Sequence, residues 1–151
     1  MGEWCLRLLG PDDAGILAEV EAGIFPDAWD KAHFFDLLGQ ARFVALGIFL
    51  GPVCGGYVTA YNIDGEIEIV NIAVRPDFRR SGLGAMLVNG LQDFARHYDA
   101  GRIVLEVRAG NTPARALYAR AGFCTAGVRK GYYSDPREDA LILEWVASCR
   151  E

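Results

Sequence analysis

Histidine is nearly missing from this chain. Of 151 residues only His33 and His97 are histidines. The four cysteines, Cys5, Cys54, Cys124 and Cys149, are scattered and form no Cys-x-x-Cys pair. No metal-ligand spacing occurs, so no metal is expected. The cysteines also lack the density of a disulfide scaffold. The expectation is reduced, mostly buried thiols in a cytoplasmic protein. The opening Met1-Gly2-Glu3-Trp4-Cys5-Leu6 lacks the basic start and apolar run of a signal peptide. Leu6 stands where a myristoylation site would want serine or threonine. There is no internal repeat, low-complexity tract or long linker. With 52% apolar residues, the chain suits one compact domain, residues 1–151, with a sizeable core.

Charge is absent from Phe43 to Tyr61, a run of 19 residues, about the length of a membrane span. Gly47, Gly51, Pro52, Gly55 and Gly56 interrupt it, with Gly51-Pro52 near its middle. Two buried strands joined by a Gly-Pro turn account for it, and no membrane partner is expected. The net charge of -5 disfavours general nucleic-acid binding. Residues 1–74 hold 3 basic and 11 acidic groups, whereas residues 75–151 hold 12 basic and 9 acidic. That asymmetry would suit a cationic substrate beside an anionic cofactor, or it is an ordinary solvated surface.

Periodicity predicts the elements in order. Trp4 to Leu9 reads as a strand. Pro11-Asp12-Asp13 starts a helix with Ile16, Leu17, Val20 and Ile24 on its apolar face. Phe25 to Trp29 breaks it. A second helix follows Asp30, carries Phe34, Leu37 and Leu38, and ends at Gly39. Two hairpin strands, Phe43 to Leu50 and Tyr57 to Tyr61, precede a turn at Asn62 to Gly65. Glu66 to Val74 alternates as a strand. Ser81 then caps a long helix whose stripe is Leu83, Met86, Leu87, Leu91, Phe94 and Tyr98. Arg102 to Val107 is a strand. Thr112-Pro113 opens a helix, with proline at its first position, and Gly122 ends it. Two last strands surround Tyr132 to Pro136, the second being Ala140 to Trp145. The sum is a mixed α/β (α+β) domain of about seven strands and about four helices.

Several features bear on chemistry. In Arg79-Arg80-Ser81-Gly82-Leu83-Gly84 a helix begins just after a strand, and its free N–H groups and dipole favour an anion. The glycines would let a ligand approach those donors, and the arginines add cationic ones. This suits a phosphate or pyrophosphate, or else it is a tight turn with surface arginines. It is neither a Walker loop nor a dinucleotide fingerprint, for the spacings differ. Glu106 lies inside the apolar strand IVLEVR. Burial there would tune it as a general base, or it faces solvent or pairs with Arg108. Tyr118 borders the face formed by Ala114, Leu117 and Ala121, as a proton donor or a satisfied core phenol. Asn111 reads as a loop or capping residue. Cys124 reads as a buried thiol rather than a nucleophile.

Together, VNIAVRPDFRRSGLG, LEVRAGNTPARALYARAGF and GVRKGYYSDPREDALILEW resemble the GNAT family of acetyl-CoA-dependent N-acetyltransferases, densely from Val70 to Trp145. Within it the chain is similar to the RimI-type enzymes, which acetylate the terminal alanine of a small-subunit ribosomal protein. The resemblance implies a GNAT-like, mostly antiparallel sheet. It implies that Arg79, Arg80, Ser81, Gly82, Leu83, Gly84 and Ala85 wrap the coenzyme A pyrophosphate. Ile72, Ala73 and Val74 would hold the acetyl group and pantetheine arm, and Asn111 would contact the coenzyme. Glu106 would be the general base and Tyr118 the general acid. The Val74 N–H would stabilise the oxyanion, with direct transfer in a ternary complex. RimI-type sequences usually carry Phe-Pro-Trp before the second helix. Here Asp27-Ala28 separates Phe25-Pro26 from Trp29, in a loop that shapes the acceptor site in the family. Two alternatives stand beside a protein N-terminus as acceptor. One is a small amine, polyamine or lysine side chain. The other is a non-catalytic acyl-CoA-binding domain.

Overall fold

The computed structural model describes residues 2–147. Its elements follow the order β1 (Cys5–Leu8), α1 (Ala14–Ala22), α2 (Lys31–Leu38), β2 (Phe43–Leu50), β3 (Val53–Ile63), β4 (Glu66–Val74), α3 (Leu83–His97), β5 (Arg102–Arg108), α4 (Thr112–Arg120), β6 (Cys124–Tyr133) and β7 (Glu138–Val146). Single 3-10 turns at Pro11–Asp13 and Pro76–Phe78 precede α1 and α3. The seven strands form one sheet ordered β1-β2-β3-β4-β5-β7-β6. Every pairing is antiparallel except β4 with β5. The charge-free segment is the hairpin β2–β3, turning at Gly51, whose φ of 58° suits glycine. Among the described residues, no helix is long and apolar enough to cross a membrane.

Each face of the sheet has its own core. On one face α3 packs Leu83, Leu87, Val88 and Leu91 against Ile48, Val58, Ile67, Ile103 and Leu105. On the other, Leu17 and Val20 of α1 and Phe34 and Leu37 of α2 cover Ala45, Phe49, Tyr57 and Ala73. Alternation along β2 and β3 divides their side chains between the two cores, so both strands are apolar throughout. The Asp30 side chain caps α2 by accepting from the His33 N–H at 2.9 Å.

Several expectations need correction. α3 is not capped by Ser81. Its N-cap is Gly82, in the left-handed conformation with no side-chain cap bond. Tyr98 is not on the buried stripe, because the helix ends at His97 and Tyr98 turns out to solvent. Thr112, not Pro113, is the first residue of α4. The thiols are not mostly buried: Cys54 is, but Cys5 and Cys124 are exposed. Both exposed cysteines lie on β1 and β6, the two edge strands, where one flank has no neighbour. Cys149 lies outside the described residues.

Candidate active site

Two features of the sheet open a cleft. In β3–β4, Thr59 faces Asn71 and Ala60 faces Ile69. Val70 is therefore an extra residue, a bulge that bends β4. The parallel pairing of β4 with β5 lasts only from Glu66–Arg102 to Glu68–Val104. Beyond that point the strands diverge. A cavity of about 280 Å³ fills the gap, lined among others by Ile72, Glu106, Asn111 and Tyr118. Four residues singled out in the sequence, from three separate segments, thus converge on one opening.

Alternation on β5 separates the chemistry. Ile103, Leu105 and Val107 are buried in the core beneath α3 and α4, so Glu106 points to the opposite face. Tyr118 arrives from the α3–α4 side. It is 2% exposed, and its ring packs edge-on against Phe123 at 5.2 Å. Burial alone pushes its hydroxyl pKa well above the usual tyrosine value, so it keeps its proton at working pH. A carboxylate and a protonated phenol therefore address the cleft from opposite faces of the sheet.

Glu106 is not paired with Arg108. Its Oε2 accepts from Arg129 Nε at 2.5 Å, while Arg108 bonds Glu138 at 3.2 Å and the Ser134 and Pro136 carbonyls. The Tyr132 hydroxyl lies close to the Glu106 carboxylate, and that proximity raises the Tyr132 pKa. Arg129 is 55% exposed, so swinging it aside costs about 1 kcal/mol or less. Sequence reasoning missed Arg129 and Tyr132. They lie on β6, separated from β5 by β7, and no local spacing connects them to Glu106.

The Arg79–Ala85 turn follows the end of β4. Arg79 Nε donates to the Val74 carbonyl at 3.1 Å, folding the turn back on the strand. Arg80 and Gly82 both have positive φ, 67° and 81°. A Cβ on Gly82 would meet nothing within 4 Å, so its conformation is what demands glycine. A Cβ on Gly84 would lie 3.4 Å from Leu117 of α4. The first helical bond of α3 is Met86 N–H to the Gly82 carbonyl at 3.1 Å. The amides of Leu83, Gly84 and Ala85 therefore have no acceptor within the helix. Leu83 and Ala73 bury their side chains in the two cores, so only their backbones can meet a ligand. Asn111 is the N-cap of α4, its side chain accepting from the Ala114 N–H at 3.3 Å.

Beside the bulge, a second cavity of about 320 Å³ is lined by Glu21, Phe25, Pro26, Asp27, Trp29, Val70 and Asn71. The Phe25–Trp29 loop thus stands at the mouth of the cleft, and Phe25 lines both cavities.

The acetyltransferase (GNAT) family matches residues 16–123, and this chain belongs to that family of acyltransferases. Two relatives narrow the likeness. The ribosomal protein bS18-alanine N-acetyltransferase of Salmonella typhimurium is 36% identical over 127 residues, covering 83% of this chain and 84% of the relative. The N-alpha-acetyltransferase RimI of Mycobacterium tuberculosis is 35% identical over 137 residues, covering 87% and 85%. The crystal structure of the ribosomal-protein-S18-alanine N-acetyltransferase from Escherichia coli superposes with a TM-score of 0.87 at 28% identity, covering 99% of this chain and 97% of that one.

Proposed function

We propose that this chain, as one catalytic domain of residues 1–151, transfers acetyl from acetyl-CoA to the N-terminal α-amine of a protein. The acceptor is the N-terminal alanine of a small-subunit ribosomal protein, as the names of the similar enzymes suggest. The carrying observation is the convergence of Glu106 and Tyr118 on one cleft from opposite faces of the sheet. Acetyl-CoA supplies the acetyl group as a thioester. Its pyrophosphate suits the free amides of Leu83, Gly84 and Ala85, with Ser81 and the Arg79 and Arg80 charges beside them. Ile72, Ala73, Val74 and Asn111 line its path toward the cleft.

An amine attacks only when neutral. An α-amine titrates near about 8, against about 10.4 for lysine, so a carboxylate base deprotonates it far more readily. Glu106 takes the amine proton, directly or through water. The amine adds to the carbonyl carbon, the Val74 N–H faces the oxyanion that forms, and as that intermediate collapses the C–S bond breaks and Tyr118 protonates the departing sulfur. Cys124, exposed on an edge strand, takes no part, and Cys124→Ala should turn over normally. Thiol release from acetyl-CoA, measured with peptides starting in Ala, Ser or Met, with polyamines and with lysine peptides, tests the proposal. Release with Ala-starting peptides supports it. Release only with polyamines or lysine peptides assigns another acceptor, and none with any amine leaves a binding domain.

A further inference from the structure

Glu21 is a carboxylate on the wrong side of its helix. Leu17, Val20 and Glu21 share the buried face of α1, and Glu21 is 5% exposed. A charge there is unfavourable unless its lone pairs are taken up, and these are. Its Oε2 accepts from the Trp29 backbone N–H at 2.8 Å. Its Oε1 accepts from the Tyr57 hydroxyl, which in turn accepts from Asn71 Nδ2 at 3.5 Å. Burial and the bond to Glu21 push the Tyr57 pKa upward, so the hydroxyl stays a donor. The Glu21 backbone carbonyl accepts from the Phe25 N–H at 2.9 Å. The loop carrying the Asp27-Ala28 insertion therefore begins and ends on this one residue. Through Tyr57 the same carboxylate reaches Asn71, which follows the Val70 bulge and lines both cavities with Phe25.

We infer that Glu21 is a positioning residue of the acceptor site. By tying Trp29 to Tyr57 and Asn71, it sets the gap between the 25–29 loop and the β4 bulge, and so the size of first residue the cleft admits. This rests on the acceptor reading above. Glu21→Gln keeps the shape but removes the charge and turns one acceptor oxygen into a donor, so the side chain can no longer accept from both the Trp29 N–H and the Tyr57 hydroxyl through charged oxygens.

The expected result is an acceptor KM for an Ala-starting peptide raised about tenfold, the loss of one charge-assisted bond. The KM for acetyl-CoA should stay within about twofold, and the preference for Ala- over Met-starting peptides should fall about as far as the acceptor KM rises. Amide exchange gives a readout independent of activity. The Trp29 N–H should be protected in the unsubstituted protein and exchange about tenfold faster in Glu21→Gln, with Phe25 unchanged. If the unsubstituted protein acetylates no peptide, the acceptor reading fails, and exchange still decides the tie. A fall in kcat with both KM values and the preference unmoved overturns the inference. So does a Trp29 amide unprotected in both proteins, or one equally protected in both. Should Glu21→Gln not fold, Tyr57→Phe cuts the tie to Asn71 and must move the acceptor KM and preference the same way. Unchanged values there also overturn it.

Discussion

Tyr118→Phe separates a catalytic hydroxyl from a packing ring. The ring is 2% exposed and sits edge-on to Phe123 at 5.2 Å, and phenylalanine keeps all of that contact. Among the described residues the hydroxyl makes no hydrogen bond, and burial is the one cause of its raised pKa. Removing the oxygen orphans no neighbour, so stability should change by less than about 1 kcal/mol and Tm by no more than about 4 °C. A positioned proton donor contributes roughly 10²- to 10⁴-fold, or about 2.7 to 5.4 kcal/mol of barrier. The substitution should therefore lower kcat at least about a hundredfold while the melt barely moves. Thiol release with an Ala-starting peptide at pH 7 to 8, beside a thermal melt, measures both. A kcat within about threefold of the unsubstituted enzyme would refute the acid role, since the sulfur then leaves without help. A loss of rate that tracks a loss of Tm would refute it differently, making Tyr118 a core residue only.

Glu106→Gln keeps the shape that Arg129 packs around but loses the carboxylate proposed as the base. It should cut kcat about a hundredfold or more with the acetyl-CoA KM held, and full activity would remove Glu106 from the mechanism. Gly82→Ala meets no steric obstacle, so its effect is conformational, about 1 kcal/mol for a side chain at φ 81°. It should raise the KM for acetyl-CoA and leave that for the acceptor, and the reverse pattern would count against the turn as the cofactor site. Burial raises the pKa of Tyr57, helped by Glu21, and of Tyr118. Their stabilisation is thus complete below the unfolded tyrosine value, about 10, and declines as pH rises above it. Each contributes a slope of about 1.4 kcal/mol per pH unit there. Urea unfolding between pH 9 and 11 should show the decline, flattened in Tyr57→Phe and Tyr118→Phe; curves parallel to the unsubstituted protein would contradict it.

The order of strands and helices was legible because each element carries its own period. The apolar runs of β2 and β3, the stripe of α3 and the Asn111 cap are local patterns, and the fold keeps them. Resemblance brought Glu106 and Tyr118 into one reaction, but the cleft they share opens because pairing ends at Glu68–Val104, which no local pattern records. Ser81 suits a helix cap by type. Two left-handed residues, Arg80 and Gly82, place the cap one step later. Burial statistics misplaced Cys5 and Cys124, because an edge strand depends on the order of the whole sheet. Glu21 was readable: it stands four residues after Leu17, on the apolar face, and a carboxylate there signals buried partners.

The short seam between β4 and β5 also divides the molecule mechanically. Eight register pairs join β2 to β3, and only three join β4 to β5. Arg102 rivets that closed end, bonding Glu66 on β4 and Glu144 on β7. The sheet is thus two blocks joined by a short line of pairing, with α3 packed across both. Partial unfolding should run along that line, releasing β5, α4, β6 and β7 as one unit while β1 to β4 stay closed. The shortest join in the sheet and the cleft of the proposed site are then the same line in the backbone.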